Sequence, residues 1–370
     1  MRVGIIGGGV VGAAIAFELS QTHEVIVWDV RSQHQLQATG AALGVLMAAL
    51  NFKLKSKHLQ LCLDSLQLYE TLIPQLEAIL GMALPYNRQG ILQLCFDAAE
   101  LRRWRKTQQV RAQQGFQLNI LQQDQLFRDY PQLQAAHLIE SDQTVVGAIY
   151  SPQDRQIDPV VLTQALIAAA QTNGAKIHYE TPVKDFECTS INDLQTITHV
   201  KTKTDDFPVD RLIISAGLGS MPLTTTLRRT VPIYPVLGQA MHLRRRLPTA
   251  DPSPVVNGGK VHLVPINATD IWIGATVEFP TEIGAEIDPD PGQLQDLHDQ
   301  AIALDASLAE ARIVRTWSGQ RPRPHERAAP IIETLSGYAN AVVASGHYRN
   351  GVLLAPITAQ KVRQLLSNFA

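Results

Sequence analysis

Val3-Gly4-Ile5-Ile6-Gly7-Gly8-Gly9-Val10-Val11-Gly12-Ala13-Ala14-Ile15-Ala16-Phe17-Glu18 opens the chain and governs how the rest is read. Val3–Ile6 reads as a short buried strand, Gly7, Gly9 and Gly12 form G-x-G-x-x-G, and a helix is expected over Val10–Ser20. Gly7 permits the tight turn, Gly9 lets the backbone approach a pyrophosphate, and Gly12 lets helix and strand pack closely. Free N–H groups at the helix N-terminus then face the phosphates. A second strand, Glu24–Trp28, ends at Asp29, whose carboxylate can accept hydrogen bonds from a ribose diol and would repel a 2′-phosphate. The pattern points to a dinucleotide but does not separate FAD from NAD. Its glycines and Glu18 also argue against reading this apolar N-terminus as an export signal.

The 370 residues are enough for two domains, and 45% of them are apolar, so a large core can be buried. The 32 basic and 34 acidic side chains leave a net charge of −2, and the longest basic run is Arg244-Arg245-Arg246 beside Pro248. That excludes a basic face of the kind nucleic acids require and reads as a solvated turn. Cys62, Cys95 and Cys188 are widely spaced, which argues against a disulfide framework and against a metal centre. No stretch reads as a membrane span, and the cytosol is the expected compartment.

Outward from the opening turn, Phe52 to Leu80 has helical spacing, with Leu59, Leu63, Leu66 and Tyr69 as a core stripe. Asp158-Pro159 starts another helix, Asp as N-cap and Pro at the first position, and Asn173-Gly174 ends it. Lys176–Tyr179 and Arg211–Ser215 read as strands returning to the first sheet. Val261–Val264 and Ile271–Gly274 are strands punctuated by Pro and Gly, and Gln293–Leu304 a helix. Near the C-terminus come a strand, Ala341–Ser345, a glycine-bearing loop, and a helix with Pro356 in an early turn.

What separates FAD from NAD lies in three later segments. Ala38-Thr39-Gly40-Ala41-Ala42-Leu43-Gly44-Val45 is a run of small residues that lets backbone N–H groups lie against a flat ring. Trp317-Ser318-Gly319-Gln320-Arg321-Pro322 follows, and then Gly346-His347-Tyr348-Arg349-Asn350-Gly351-Val352-Leu353-Leu354-Ala355-Pro356. In order and spacing, with the opening turn, these resemble the glycine oxidase/D-amino-acid oxidase family of flavoproteins over nearly the full length.

The resemblance implies an α/β chain with a Rossmann-like FAD-binding domain of the glutathione-reductase type. That domain would be discontinuous, from residues 1–82, 149–220 and 320–370. A second, α+β substrate domain on an antiparallel sheet would use 83–148 and 221–319. It further implies that Val10 and Val11 lie at the phosphates and Asp29 and Val30 at the ribose. Ala38, Thr39, Leu43, Gly44 and Val45 would follow the flavin, Val183 would meet the adenine portion, and Gly346, His347, Tyr348, Arg349, Asn350, Gly351, Val352 and Leu353 would wrap the isoalloxazine. No cysteine falls in these segments, so the FAD is expected to be non-covalent, and neither a metal nor a second nucleotide site is expected.

Hydride transfer from a neutral amine substrate needs little acid–base help from the protein, but it needs orientation. A guanidinium that grips a carboxylate through two hydrogen bonds supplies it. By resemblance Arg321, fixed in an extended approach by Pro322, is that group, with Arg349 as a second contact. His262 stands where the family has a tyrosine, and Val277 and Val45 where it has methionines, so a pocket larger than glycine needs is expected. Lys260 and His262 share a strand face; a wet edge and a hydrogen-bonded histidine is as good a reading as a substrate role. The implied activity is oxidation of a small amino acid or secondary amine, with dioxygen as acceptor and thiamine precursor synthesis as one setting. Rival readings are a dehydrogenase of the same fold serving a quinone or protein acceptor, or acting on a hydroxy acid, and a flavin-binding protein without turnover. A homo-oligomer is left open.

Overall fold

The computed structural model describes residues 1–191, 194–250, 252–282, 284–285 and 287–368. Val3, Ile5, Val25 and Val27 are wholly inaccessible to solvent, as expected of strands covered on both faces. Arg2–Ile6 pairs in parallel with Glu24–Trp28 on one side and Arg211–Ile214 on the other. Lys176–His178 and Ala341–Ser345 extend the sheet in parallel, and Ile331–Thr334 closes one edge antiparallel. The helix Val10–Ser20 is apolar nearly all round because it is enclosed, lying against the helices Pro159–Thr172 and Gly351–Ser367.

Local chemistry sets the helix ends. Asp158 accepts from Val160 N and Val161 N with Pro159 behind it, as its sequence predicts. The helix expected from Phe52 starts instead at Lys57, because Ser56 Oγ accepts from Leu59 N (3.0 Å) and caps it there; Gly81, at φ +66°, ends it. The helix expected at Gln293 begins two residues earlier, at Pro291, behind the Asp290 cap.

An eight-stranded mixed sheet forms the second layer, in the order Arg312–Pro324, Ile233–Arg244, Asp270–Gly274, Val261–Pro265, Val255–Gly258, Ile91–Cys95, Gly147–Ser151, Asn119–Gln122. All its neighbours are antiparallel except Val255–Gly258 with Ile91–Cys95. The segment boundaries expected at 149 and 320 therefore cut through two of its strands, Gly147–Ser151 and Arg312–Pro324. Ladder hydrogen bonding holds each strand in one sheet, so the chain changes layers only after Ser151 and Pro324. The three arginines 244–246 are spent on ion pairs with Asp270, Asp305 and Glu310. Among the described residues no helix is long and apolar enough to cross a membrane, and no acidic or Cys/His group has metal-binding geometry.

Candidate active site

A cavity of about 1100 Å³ starts at the C-terminal ends of the parallel strands, at Gly7, Asp29, Ser215 and Gly346, and runs to the large sheet at His262 and Arg321. The mouth of a parallel sheet is where an open α/β fold binds its ligand. Of the residues expected to hold the cofactor, all but Gly12 line this cavity.

The turn fits a pyrophosphate for reasons visible in its backbone. Gly7 has φ +105°, and a Cβ there would lie 2.6 Å from Ser215 O. A Cβ on Gly9 would meet only Thr39 Oγ1, at 3.3 Å, and otherwise project into the cavity. Gly12 acts behind the wall: its Cβ would fall 1.8 Å from Gly7 O, so it permits the turn without touching a ligand. Burial alone would raise the Asp29 carboxyl, but Arg31 and the N–H groups of Arg31 and Gly8 outweigh it and hold it below the usual range. Those donors are Gly8 N (2.7 Å), Arg31 N (2.9 Å), Nε (2.9 Å) and Nη2 (2.8 Å). They use the carboxylate's four acceptor directions, so a ribose diol at Asp29 has to share an oxygen with Arg31 or displace it.

The loop after Ser345 is held from behind. His347 is buried, hydrogen-bonded through Nε2 to Thr358 Oγ1 (2.9 Å), and pushed down to about 3 by burial, so it is a neutral strut. Pro356 lacks an N–H and leaves the carbonyl of Val352 without its helical donor. Tyr69 OH donates to that carbonyl, and Ser65 Oγ donates to Leu353 O (2.6 Å). Asn350 Nδ2 meets His58 Nε2 at 3.0 Å.

At the far end, Arg321 Nη1 donates to Leu237 O (3.0 Å) and Nη2 to Thr276 O (3.1 Å). The guanidinium lies across Gly238, where a Cβ would sit 2.1 Å from Nη2. Arg349 and the half-buried His262 line the same end. Burial, and then the charges of Arg349 and Arg321, push His262 down to about 4, and its Nδ1 is buried without a hydrogen-bond partner. Burial and then Arg349 also lower Arg321. Among the described residues neither arginine has a carboxylate in salt-bridge contact.

Two sequence expectations need correction. Val277 is not on the cavity wall; Ala275 is, and the chain between them is pinned as Thr276 O accepts from Arg321 and Gln239 N donates to Thr276 Oγ1 (2.7 Å). The room expected beside Val45 is partly refilled by Met47, two residues on along the same extended segment and also on the wall. Lys260 points away, paired with Glu140 at 2.9 Å. Sequence reasoning missed Met47, Ala275 and Gly238. Only Gly238 carried a readable signal, a glycine inside a strand pattern, which marks close approach by another group.

This geometry can be set beside known proteins. The profile of the FAD dependent oxidoreductase family matches residues 2–365. The chain belongs to that family. It is 31% identical over 369 residues to the bifunctional protein ThiO/ThiG of Synechocystis sp., covering 98% of this chain and 51% of the relative. It is 28% identical to the glycine oxidase of Geobacillus kaustophilus over 98% of this chain and 92% of that one. The chain thus spans about half the length of the ThiO/ThiG relative and nearly all of the glycine oxidase. The crystal structure of glycine oxidase from Geobacillus kaustophilus superposes with a TM-score of 0.83 at 27% identity, covering 99% of this chain and 95% of that one. The family's FAD and the α/β architecture agree with the cradle described above.

Proposed function

We propose that this chain oxidises the amine of a small amino acid or N-substituted amino acid, with FAD as the immediate electron acceptor and dioxygen as the final one. One observation carries the reading: two guanidiniums, Arg321 and Arg349, line the large-sheet end of the FAD cavity, and among the described residues neither has a carboxylate of the protein in ion-pair contact. Such a pair calls for an anionic ligand, and a substrate carboxylate fits. The names of the relatives support an amine as the reacting group.

Gly9, Val10, Asp29, Thr39 and the loop 346–353 would hold FAD, which would supply the two-electron chemistry. The protein's share is orientation. Arg321, fixed by two carbonyls and free on its cavity side, holds the carboxylate, and Arg349 adds charge. The neutral His262 can hydrogen-bond the substrate without adding a third positive charge. Release of an imine, which water converts to a carbonyl acid and ammonia or an amine, completes the proposed reaction. None of the three cysteines lines the cavity, which supports a non-covalent flavin; acid precipitation should leave the yellow colour in the supernatant.

Anaerobic titration with glycine, sarcosine, D- and L-amino acids and hydroxy acids, followed by flavin absorbance, tests the reading. An amino acid or secondary amine should bleach the flavin, and air should restore the colour with release of peroxide. Bleaching by hydroxy acids alone, or recolouring only with a quinone, would turn the reading into the rival dehydrogenase. No bleaching by any member would leave a flavin-binding protein without turnover.

A further inference from the structure

Behind Arg321 lies a carboxylate that the proposed chemistry has not used. Glu278 is only 5% exposed, and none of its hydrogen-bond donors is a cation. Its Oε1 accepts from Thr276 Oγ1 and from Gln239 Nε2 (3.0 Å), and its Oε2 accepts from Asp290 N (3.0 Å). A buried carboxylate with only neutral donors is costly unless a positive charge stands nearby. The nearby charge is Arg321, whose tendency to stay protonated Glu278 favours.

Geometry joins the two. Glu278 N donates to Leu237 O (3.0 Å) and Leu237 N to Glu278 O (3.0 Å), so Leu237 O holds both the Glu278 backbone and Arg321 Nη1. Thr276, whose carbonyl takes Arg321 Nη2, is locked to Gln239 through Gln239 N→Thr276 Oγ1 (2.7 Å) and Thr276 N→Gln239 O (3.2 Å). Gln239 Nε2 also reaches Asp290 O (2.7 Å). Every atom that aims the guanidinium is therefore tied to the Glu278 carboxylate or its backbone within one further contact.

We infer that Glu278 is the positioning residue of the carboxylate anchor: through Thr276 and Gln239 it fixes the two carbonyls that hold the Arg321 guanidinium facing the cavity. The inference rests on the reading of Arg321 as that anchor. Glu278 touches neither substrate nor cofactor. It acts by holding a half-buried arginine still before substrate arrives, so that the ligand carboxylate need not order it.

The test uses holoprotein and acetate, a bare carboxylate, titrated against the flavin absorbance. Glu278→Gln should weaken acetate about 10- to 100-fold, the worth of one charge-assisted hydrogen bond, while flavin content and kcat change little and KM rises in parallel. Thr276→Val should do the same, and Thr276→Ser, which keeps the hydroxyl, should restore the affinity. If Glu278→Gln fails to fold, the Val and Ser variants at 276 decide. Weak acetate binding in Arg321→Ala beside wild-type affinity in Glu278→Gln and Thr276→Val would overturn the inference and leave the anchor standing. Unchanged acetate affinity in Arg321→Ala would overturn the anchor itself.

Discussion

Arg321 is held by its own protein only through neutral carbonyls, Leu237 O and Thr276 O; Arg111 is likewise met only by neutral oxygens, but it lies off the cavity, whereas Arg321 lines it. Arg244, Arg245, Arg155 and Arg31 are all neutralised by carboxylates. A half-buried guanidinium with no carboxylate in contact binds one strongly, because burial has already stripped part of its water and the ligand supplies the missing acceptors. Replacing Arg321 by alanine should leave the flavin spectrum nearly intact and lower kcat/KM roughly 10²- to 10⁴-fold, two charged hydrogen bonds at about 1.5–3 kcal/mol each. Lysine should recover only part, since a point charge lacks the bidentate fork. Steady-state kinetics on the substrate found in the anaerobic panel measures both. The pocket's size also hangs on single side chains: with Met47 beside Val45 and Val277 off the wall, a Val277→Met change has no wall to build on.

The turn between the first strand and the first helix divides its work among its glycines. Gly9 borders open space, and Gly12 borders the backbone of Gly7. The two positions therefore predict opposite failures. Gly9→Val should give a folded but colourless protein, because the new side chain fills the path of the pyrophosphate and meets only Thr39 Oγ1 in the protein. Gly12→Val should fail to fold, since its Cβ would overlap a carbonyl oxygen that cannot move without dismantling the turn. Circular dichroism together with flavin content after purification distinguishes the two; a yellow Gly9→Val protein would remove this turn from the cofactor site. The closing helix shows a similar division: Pro356 opens its hydrogen-bond ladder near the cavity, and Tyr69 and Ser65 of a distant helix close it. The cavity-lining loop 346–353 is thus braced by the long helix Lys57–Leu80.

Taken across the molecule, two histidines, the buried His347 and the half-buried His262, give the protein an acid liability. His347 is depressed to about 3 and His262 to about 4, both first by burial. A histidine whose folded pKa lies below its unfolded value contributes stability that is complete above about 6.5 and is lost as pH falls toward the folded pKa. Each should steepen the fall by up to about 1.4 kcal/mol per pH unit, between pH 6.5 and about 4 for His262 and on to about 3 for His347. Melting temperatures in excess FAD should drop steadily from pH 7 to pH 4, and His262→Gln should flatten the upper part of that slope. Asp270, held down to about 2 because Arg244, Asn267 and His242 outweigh its burial, adds its own loss only below about pH 4. A melting temperature flat between pH 7 and pH 4 would show that neither imidazole is as desolvated as its surroundings imply.

Much of this was legible in the chain itself. Residues close in sequence specify the opening strand, turn and helix, because the same few glycines that make the turn also make the ligand site. The Asp158-Pro159 cap and the fully apolar strands are local in the same sense, and so were read correctly. The long C-terminal segment was legible as a site because its consecutive residues Gly346 to Leu353 line one cavity. Tertiary structure decided what depends on meeting across the fold. Arg321 reaches Leu237 and Thr276 from distant strands, and only the ladder register places Gly238 beneath it. Val277 is off the wall and Met47 on it because the chain leaves its strands at Gly274 and Leu46 and is then aimed by contacts such as those of Thr276 with Gln239 and Arg321, which composition does not name. The Glu278 network is invisible along the chain for the same physical reason: hydrogen bonds act over about 3 Å, and sequence separation says nothing of that distance.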